Sequence, residues 1–89
     1  MPYDKEIYRK AFDSWLKANI PKGTYSKAAK NIFKGHEDPQ KAFRRRRNEK
    51  AGWQIDDLCV LSEYLEIDIP TMFTQIEGVY RVLVATKQE

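Results

Sequence analysis

The chain has 89 residues, which is enough for one domain with a single hydrophobic core. Its composition, 42% apolar and 33% charged, is typical of a globular protein and excludes a disordered chain. A single cysteine, Cys59, excludes an internal disulfide framework and a cysteine-rich zinc site. No apolar run approaches the roughly 20 residues of a membrane span, and the first residues lack the apolar core of a secretory signal. We therefore expect a cytoplasmic protein with no membrane association.

The net charge of +3 is distributed unevenly along the chain. Residues 20–50 carry ten cations against three acids, whereas residues 51–78 carry six acids and neither lysine nor arginine. So basic a segment beside an acidic one predicts a surface that meets a polyanion. The alternative is a pair of complementary surfaces within one domain.

Hydrophobic periodicity and capping residues predict the first two helices. The first runs over residues 4–19, with Asp4 as N-cap and one apolar face. The second begins at Thr24 as N-cap and runs to about Lys34, where Gly35 permits a left-handed turn. Its lysines are expected to remain in solvent.

The third helix is predicted over residues 38–50. Asp38 supplies the N-cap and Pro39 the first helical residue, and the apolar anchors are Ala42 and Phe43. Residues 44–47 are four consecutive arginines, which span about 300° of a helix and so cannot all point the same way. The third helix is therefore expected to be mostly exposed.

The rest of the chain predicts two more helices and a strand. A fourth helix over residues 54–66 places Cys59, with Ile55 and several leucines, on its buried side. A short fifth helix ends near Ile76, and residues 79–86, rich in Val, Leu and Tyr, predict a strand. The expected fold is thus all-α, with five helices and a C-terminal β-strand.

These elements predict a domain over residues 1–78 and a C-terminal strand or tail over residues 79–89. A lone strand leaves its backbone groups unpaired, so it predicts a homodimer in which two copies pair their strands. The alternatives are that residues 79–86 fold back over the core or extend the fifth helix.

Enzymatic chemistry finds little support. His36 is the only histidine and Cys59 the only cysteine, and they fall on different predicted elements. There is no glycine-rich phosphate loop and no metal-ligand spacing. We expect a protein that is not an enzyme and has no cofactor, no metal and no evident small-molecule ligand.

The basic helices predict double-stranded DNA as the partner. Guanidinium groups bind phosphate oxygens and the major-groove edge of guanine, and an exposed helix has the width of that groove. The free amides at the start of the second helix can hold a phosphate. The alternative is that the arginines only solvate a helix. The candidate DNA-binding residues are Thr24, Tyr25, Ser26, Lys27, Lys30, Gln40, Lys41, Arg44, Arg45, Arg46 and Arg47.

Two segments carry a resemblance to a known family. Residues 54–73 (QIDDLCVLSEYLEIDIPTMF) and 24–33 (TYSKAAKNIF) resemble parts of the lambda-repressor-like helix-turn-helix domains. The resemblance covers about residues 5–77 and implies that residues 38–50 form a recognition helix. It further implies a sequence-specific transcriptional regulator, a repressor of the phage or mobile-element type, with C-terminal strands that dimerise as in Cro proteins.

The resemblance also assigns roles to the third helix. Gln40, Lys41, Arg44 and Arg47 would face the DNA groove, while Arg45 or Arg46 would contact phosphates. The sequence departs from the family at two points. The turn between the second and third helices, residues 34–38, is longer than usual, and an aliphatic position of the recognition helix falls on Arg45 or Arg46.

Two other functions are compatible with the same residues. A protein–protein interaction module would use the basic helix 38–50 and the acidic helix 54–66. An RNA-binding protein would use the arginine-rich helix, and exposed aromatic residues on the basic face, of which Tyr25 is the one candidate, would favour it.

Overall fold

The computed structural model describes residues 3–48 and 52–87, and every regular element within these ranges is an α-helix. The helices are α1 (Lys5–Asn19), α2 (Tyr25–Ile32), α3 (Pro39–Asn48), α4 (Ile55–Leu65) and α5 (Ile69–Lys87). The all-α class agrees with the prediction. The predicted C-terminal strand, in contrast, is not found in the described ranges. Across the described ranges, no helix combines the length and the apolar character needed to cross a bilayer.

Two predicted helix starts are confirmed by their capping hydrogen bonds. Asp4 Oδ1 accepts from the backbone N–H groups of Glu6 and Ile7, at 3.0 and 3.1 Å. Asp38 Oδ1 accepts from the backbone N–H of Lys41 at 3.1 Å. Each carboxylate satisfies amides that have no partner within the helix, so these local signals fix where α1 and α3 begin.

The predicted strand over residues 79–86 is wrong, because α5 continues through Gly78 to Lys87. α5 lies along α1 in the most extensive helix pairing of the fold. Val79 and Leu83 pack against the core from this second half of α5. A helix pairs its own backbone groups, whereas a lone strand leaves them open, so burial against α1 overrides the β propensity of this segment. The strand-paired dimer is withdrawn with the strand.

A cluster of three tyrosines joins the N-terminus to α5. The rings of Tyr3, Tyr8 and Tyr80 lie with their centroids 5.0 to 5.7 Å apart. The Tyr3 hydroxyl donates to Glu77 Oε1 at 2.8 Å, and the Asp4 backbone N–H donates to the Tyr80 hydroxyl at 3.0 Å. The hydrogen bond to Glu77 raises the pKa of Tyr3. These contacts hold the second half of α5 against the start of α1.

All five helices contribute to one hydrophobic core. Its most buried side chains include Leu16, Phe33, Leu61 and Ile76. The sequence places Ile55 and Cys59 on the buried side of α4, but both are exposed, so that part of the prediction is wrong. The side of α4 that faces the core is the opposite one. Leu61 lies in the core there, and Leu58 and Leu65 pack against the core. The following fully buried or nearly buried residues form the core: Ala11, Phe12, Trp15, Leu16, Ile20, Ala28, Ala29, Ile32, Phe33, Phe43, Leu61, Met72 and Ile76.

Candidate nucleic-acid interface

α3 is anchored to the core by one aromatic side chain. Phe43 is buried, and its ring centroid lies 6.1 Å from that of Phe33 and 6.2 Å from that of Trp53. Ala42, next to it, is half-buried. These are the two anchors that the sequence predicts. Because α3 has so little other apolar surface, polar contacts have to fix its rotation about its own axis.

The four arginines of α3 divide into two pairs. Arg44 and Arg45 are exposed, whereas Arg46 and Arg47 are half-buried. At about 100° per residue, the exposed pair shares about 140° of the helix circumference with two further exposed side chains. We call this group the α3 arc, and it consists of Gln40, Lys41, Arg44 and Arg45.

Arg46 points inward to the start of α4. Its Nε donates to Asp57 Oδ2 at 2.8 Å, and its guanidinium carbon lies 5.7 Å from the ring centroid of Phe33. The same carboxylate oxygen accepts from the backbone N–H of Gln54 at 3.1 Å, so Asp57 also caps α4. Asp57 is only 7% exposed. A buried carboxylate needs a partner, and Arg46 supplies it.

Arg47 points inward to α1. Its Nε donates to Asp13 Oδ1 at 2.7 Å, and its guanidinium carbon lies 5.1 Å from the ring centroid of Tyr25 and 5.7 Å from that of Phe43. Asp13 also pairs with Lys17, one turn later in α1, at 3.2 Å. Burial alone would raise the pKa of Asp13, but the hydrogen bonds from Arg47 and Lys17 outweigh it and lower that pKa below its usual value.

The exposed side of α2 resembles that of α3 in width and is joined to it. The α2 arc consists of Ser26, Lys27, Lys30 and Asn31, all exposed and within about 140° of that helix. Gln40 Nε2 donates to Ser26 Oγ at 2.8 Å, so the start of α3 contacts the start of α2. This hydrogen bond joins the α2 arc and the α3 arc into one continuous polar surface.

Most cations of this region make no ion pair with any described residue. Arg45 makes an interaction within the chain, so it does not count among the unpaired cations. Two acids, Glu37 and Asp38, precede α3, and Asp38 is engaged in capping. We use the name basic surface for the exposed cations that have no acidic partner within residues 3–48 and 52–87: Lys22, Lys27, Lys30, Lys34, Lys41 and Arg44. Such groups are free to bind an external anion.

The structure therefore sorts the candidate DNA-binding residues by exposure. Those on the two arcs are exposed, but Thr24 and Tyr25 are half-buried, as are Arg46 and Arg47. The Thr24 hydroxyl donates to the backbone oxygen of Pro21 at 2.6 Å and makes no capping bond to α2. The ring of Tyr25 lies beneath the guanidinium of Arg47. Arg46 and Arg47 thus have identified acidic partners inside the protein.

Sequence reasoning missed the acids that bind these two arginines. Asp57 lies 11 residues from Arg46, and Asp13 lies 34 residues from Arg47. The two residues of each pair lie on different helices, so the i, i+3 and i, i+4 spacing of a single helix does not pair them. The one available signal is that an arginine stands where the resembling family has an aliphatic side chain, which requires a buried partner for its charge.

Comparison with protein-family models, with curated proteins and with solved structures found no match to this chain. The resemblance to lambda-repressor-like domains therefore stays a prediction from residues 5–77. The surface itself consists of two helices in contact, α2 and α3, which expose unpaired cations and few apolar groups. Its donors match phosphate oxygens and the acceptor edges of bases.

Proposed function

We propose that the protein binds double-stranded DNA through the α3 arc and the α2 arc and acts as a transcriptional regulator. The observation that carries this proposal is the basic surface, whose cations lie on α2, on α3 and in the turns that flank α2, without acidic partners among the described residues. A polyanion supplies the missing counter-charges, and neutralising phosphates releases condensed cations from the duplex. An exposed helix of ten residues fits the width of the major groove.

The proposal assigns different roles along α3. Arg44 and Gln40 lie on the exposed arc with side chains that form paired hydrogen bonds to guanine and adenine, respectively. Lys41 and the lysines of α2 contact phosphates and fix the position of the helix on the duplex. Arg46 and Arg47 act as positioning residues, because they hold α3 to α4 and α1. Base reading is thereby assigned to Gln40 and Arg44, which lie one turn apart on the exposed arc.

The regulatory role rests on the resemblance. Residues 24–33 and 54–73 of this chain resemble lambda-repressor-like domains. That resemblance implies a repressor of the phage or mobile-element type. We propose the same for this chain, in the cytoplasm.

We further propose that the protein acts as a homodimer, now through a helix. The exposed side of α5 holds Gly78, Val82 and Ala85 within about 60°, and Val82 is 64% exposed. Small uncharged side chains let a second helix approach closely. A second copy of α5 would cover Val82, and two α3 arcs would then read two half-sites of a near-palindromic operator.

Among nucleic acids, the structure favours duplex DNA over RNA as the proposed partner. Sequence-specific RNA binding commonly stacks unpaired bases on exposed aromatic rings. Tyr25 is the one aromatic candidate of the basic region, and its ring is half-buried beneath Arg47. A protein partner for the basic surface would need apolar contacts as well, and the two arcs contain only polar and charged side chains.

An anisotropy titration of a labelled mixed-sequence DNA duplex, repeated over a salt series, tests the proposal. A matched RNA duplex and a DNA single strand serve as competitors. We expect the DNA duplex to bind most tightly, with log affinity falling by about 0.9 for each phosphate neutralised per unit of log salt. Tighter binding to either RNA or the single strand, or no binding at low salt, would contradict the proposal.

A further inference from the structure

α4 presents an exposed face that nothing in the described structure covers. At about 100° per residue, five exposed side chains fall within about 140° of its circumference. Ile55 is 78% exposed and Val60 is 36% exposed. We call this group the α4 face: Ile55, Asp56, Cys59, Val60 and Glu63. Ile55 and Val60 lie at the two edges of this group, so its apolar side chains flank its charged ones, and exposed apolar side chains on one face are a feature of interaction surfaces.

The α4 face combines these apolar groups with unpaired negative charge. Asp56 and Glu63 lie in the middle of the arc, with Ile55 and Cys59 on one side and Val60 on the other. Neither carboxylate has an ion-pair partner among the described residues. The chain from residue 51 to residue 78 contains no lysine or arginine that could supply one. The two acids are therefore available to an external cation.

We propose that the α4 face docks a basic amphipathic helix of a partner protein. Cationic side chains of that helix pair with Asp56 and Glu63, and apolar side chains on the same helix cover Ile55 and Val60. α4 has 11 residues and is about 16 Å long, so a partner of about three turns matches it. The face repels nucleic acid, which makes this docking independent of the DNA binding proposed above.

A second copy of the chain fits the α4 face less well than such a helix. The basic surface of another copy would offer lysines and Arg44, but its two arcs carry no apolar side chain to cover Ile55. The exposed apolar residue of α5, Val82, is next to the exposed cation Arg81, but Arg81 already pairs with Glu77 of its own helix at 3.4 Å. The occupant has to combine both properties on one helical face.

The test uses the full chain and a labelled 14-residue peptide that forms an amphipathic helix, in which one face carries lysines flanked by leucines and the other face is polar and uncharged. A scrambled peptide of the same composition, without helical periodicity, is the control for bulk charge. We expect the amphipathic peptide to bind at least about tenfold more tightly than the scrambled one by fluorescence anisotropy. Equal affinity for the two peptides, or no binding of the amphipathic peptide, would overturn the proposal.

Two charge-matched variants locate the peptide. Asp56→Asn/Glu63→Gln removes the two acids of the α4 face, and Glu6→Gln/Glu37→Gln removes two exposed acids elsewhere. We expect the first variant to weaken peptide binding about tenfold and the second by less than about twofold, since two contacts between charges contribute far more than distant ones. An equal loss in both variants would overturn the proposal.

An apolar variant and a DNA titration separate the remaining outcomes. Val60→Ser is expected to weaken peptide binding about fivefold and to leave the sedimentation coefficient of the chain unchanged. A shift of that coefficient would show instead that the face joins two copies of the chain. Duplex DNA affinity should not fall in Asp56→Asn/Glu63→Gln, so failure of the docking proposal remains distinct from failure of DNA binding.

Discussion

Arg46 of α3 and Asp57 of α4 form an ion pair in which Nε lies 2.8 Å from Oδ2, and both side chains are largely shielded from solvent. The pair links the last turn of the arginine-rich helix to the first turn of the next helix. It lies on the inner side of α3, and Arg46 is one of the two arginines, with Arg45, on which the predicted resemblance places an aliphatic position. The position of the α3 arc thus depends on a charge contact as well as on Phe43.

Replacement of Arg46 tests this dependence. We expect Arg46→Met to lower the free energy of unfolding by about 3 kcal/mol, because Asp57 remains buried without its partner. The double variant Arg46→Met/Asp57→Asn should cost less than the sum of the two single changes, with a coupling of about 1–3 kcal/mol. Urea unfolding followed by circular dichroism measures all three variants. Strict additivity would show that the pair contributes no coupling.

The contact between Arg47 and Asp13 predicts how stability depends on pH. The folded-state pKa of Asp13 is lower than its ordinary value, so its contribution is present above about pH 4. That contribution is lost as the pH falls through the lowered pKa, because the protonated carboxyl no longer accepts from Arg47 as a charge. Asp13→Asn should lower stability by about 1–2 kcal/mol at pH 7 and by much less near pH 2.

The measurement is urea unfolding of the wild type and of Asp13→Asn at several pH values. Exposed Glu6→Gln, also on α1, is the control for loss of one acid. If the difference between wild type and Asp13→Asn were the same at pH 2 and pH 7, the assigned ion pair would be wrong.

The continuity of α5 predicts opposite effects of alanine at two glycines. Gly78 lies in the middle of α5, and a Cβ there would have no atom within 4 Å, so Gly78→Ala should stabilise the fold by about 0.5–1 kcal/mol. Gly35 has a φ of +95°, and Gly35→Ala should destabilise by about 1 kcal/mol. Thermal unfolding distinguishes the two. Destabilisation by Gly78→Ala would indicate a turn at that position and contradict a continuous α5.

The proposed homodimer predicts that a charge on α5 separates the copies. Val82→Glu places a carboxylate on the exposed side of α5, where a second copy would bury it without a partner. We expect sedimentation equilibrium to give a monomer for this variant and a dimer for the wild type. Ser14→Glu, at an exposed position of α1, adds the same charge and should remain dimeric. Dimerisation of Val82→Glu would reject α5 as the interface.

Local signals in the sequence were sufficient for the starts of α1 and α3. Asp4 and Asp38 act within three residues of themselves, and the spacing of Phe12, Trp15 and Leu16 already places one face of α1 in the core. These features depend on neighbours along the chain, so they can be read without knowledge of the tertiary structure.

Contacts between distant residues account for what the sequence could not predict. Residues 79–86 are rich in strand-forming side chains, but α1 offers them a surface to bury against. Ile76, Val79 and Leu83 follow one another at three and four residues, a helical spacing that the β propensity of the segment outweighed in the prediction. The inward direction of Arg46 and Arg47 depends on acids from other helices. For the candidate site, the sequence identified the basic helices, whereas the division of the arginines into exposed and half-buried pairs required the packed structure.

The most direct test of DNA binding through the basic surface compares two variants with equal loss of charge. Lys41→Ala/Arg44→Ala removes two cations from the α3 arc, and Lys5→Ala/Lys10→Ala removes two exposed cations of α1. In an anisotropy titration of a DNA duplex, the first variant should bind at least about tenfold more weakly. Its slope of log affinity against log salt should be shallower by the contribution of up to two phosphate contacts. The second variant should stay within about twofold of wild type. Equal losses in the two variants would contradict the assignment of DNA binding to α3.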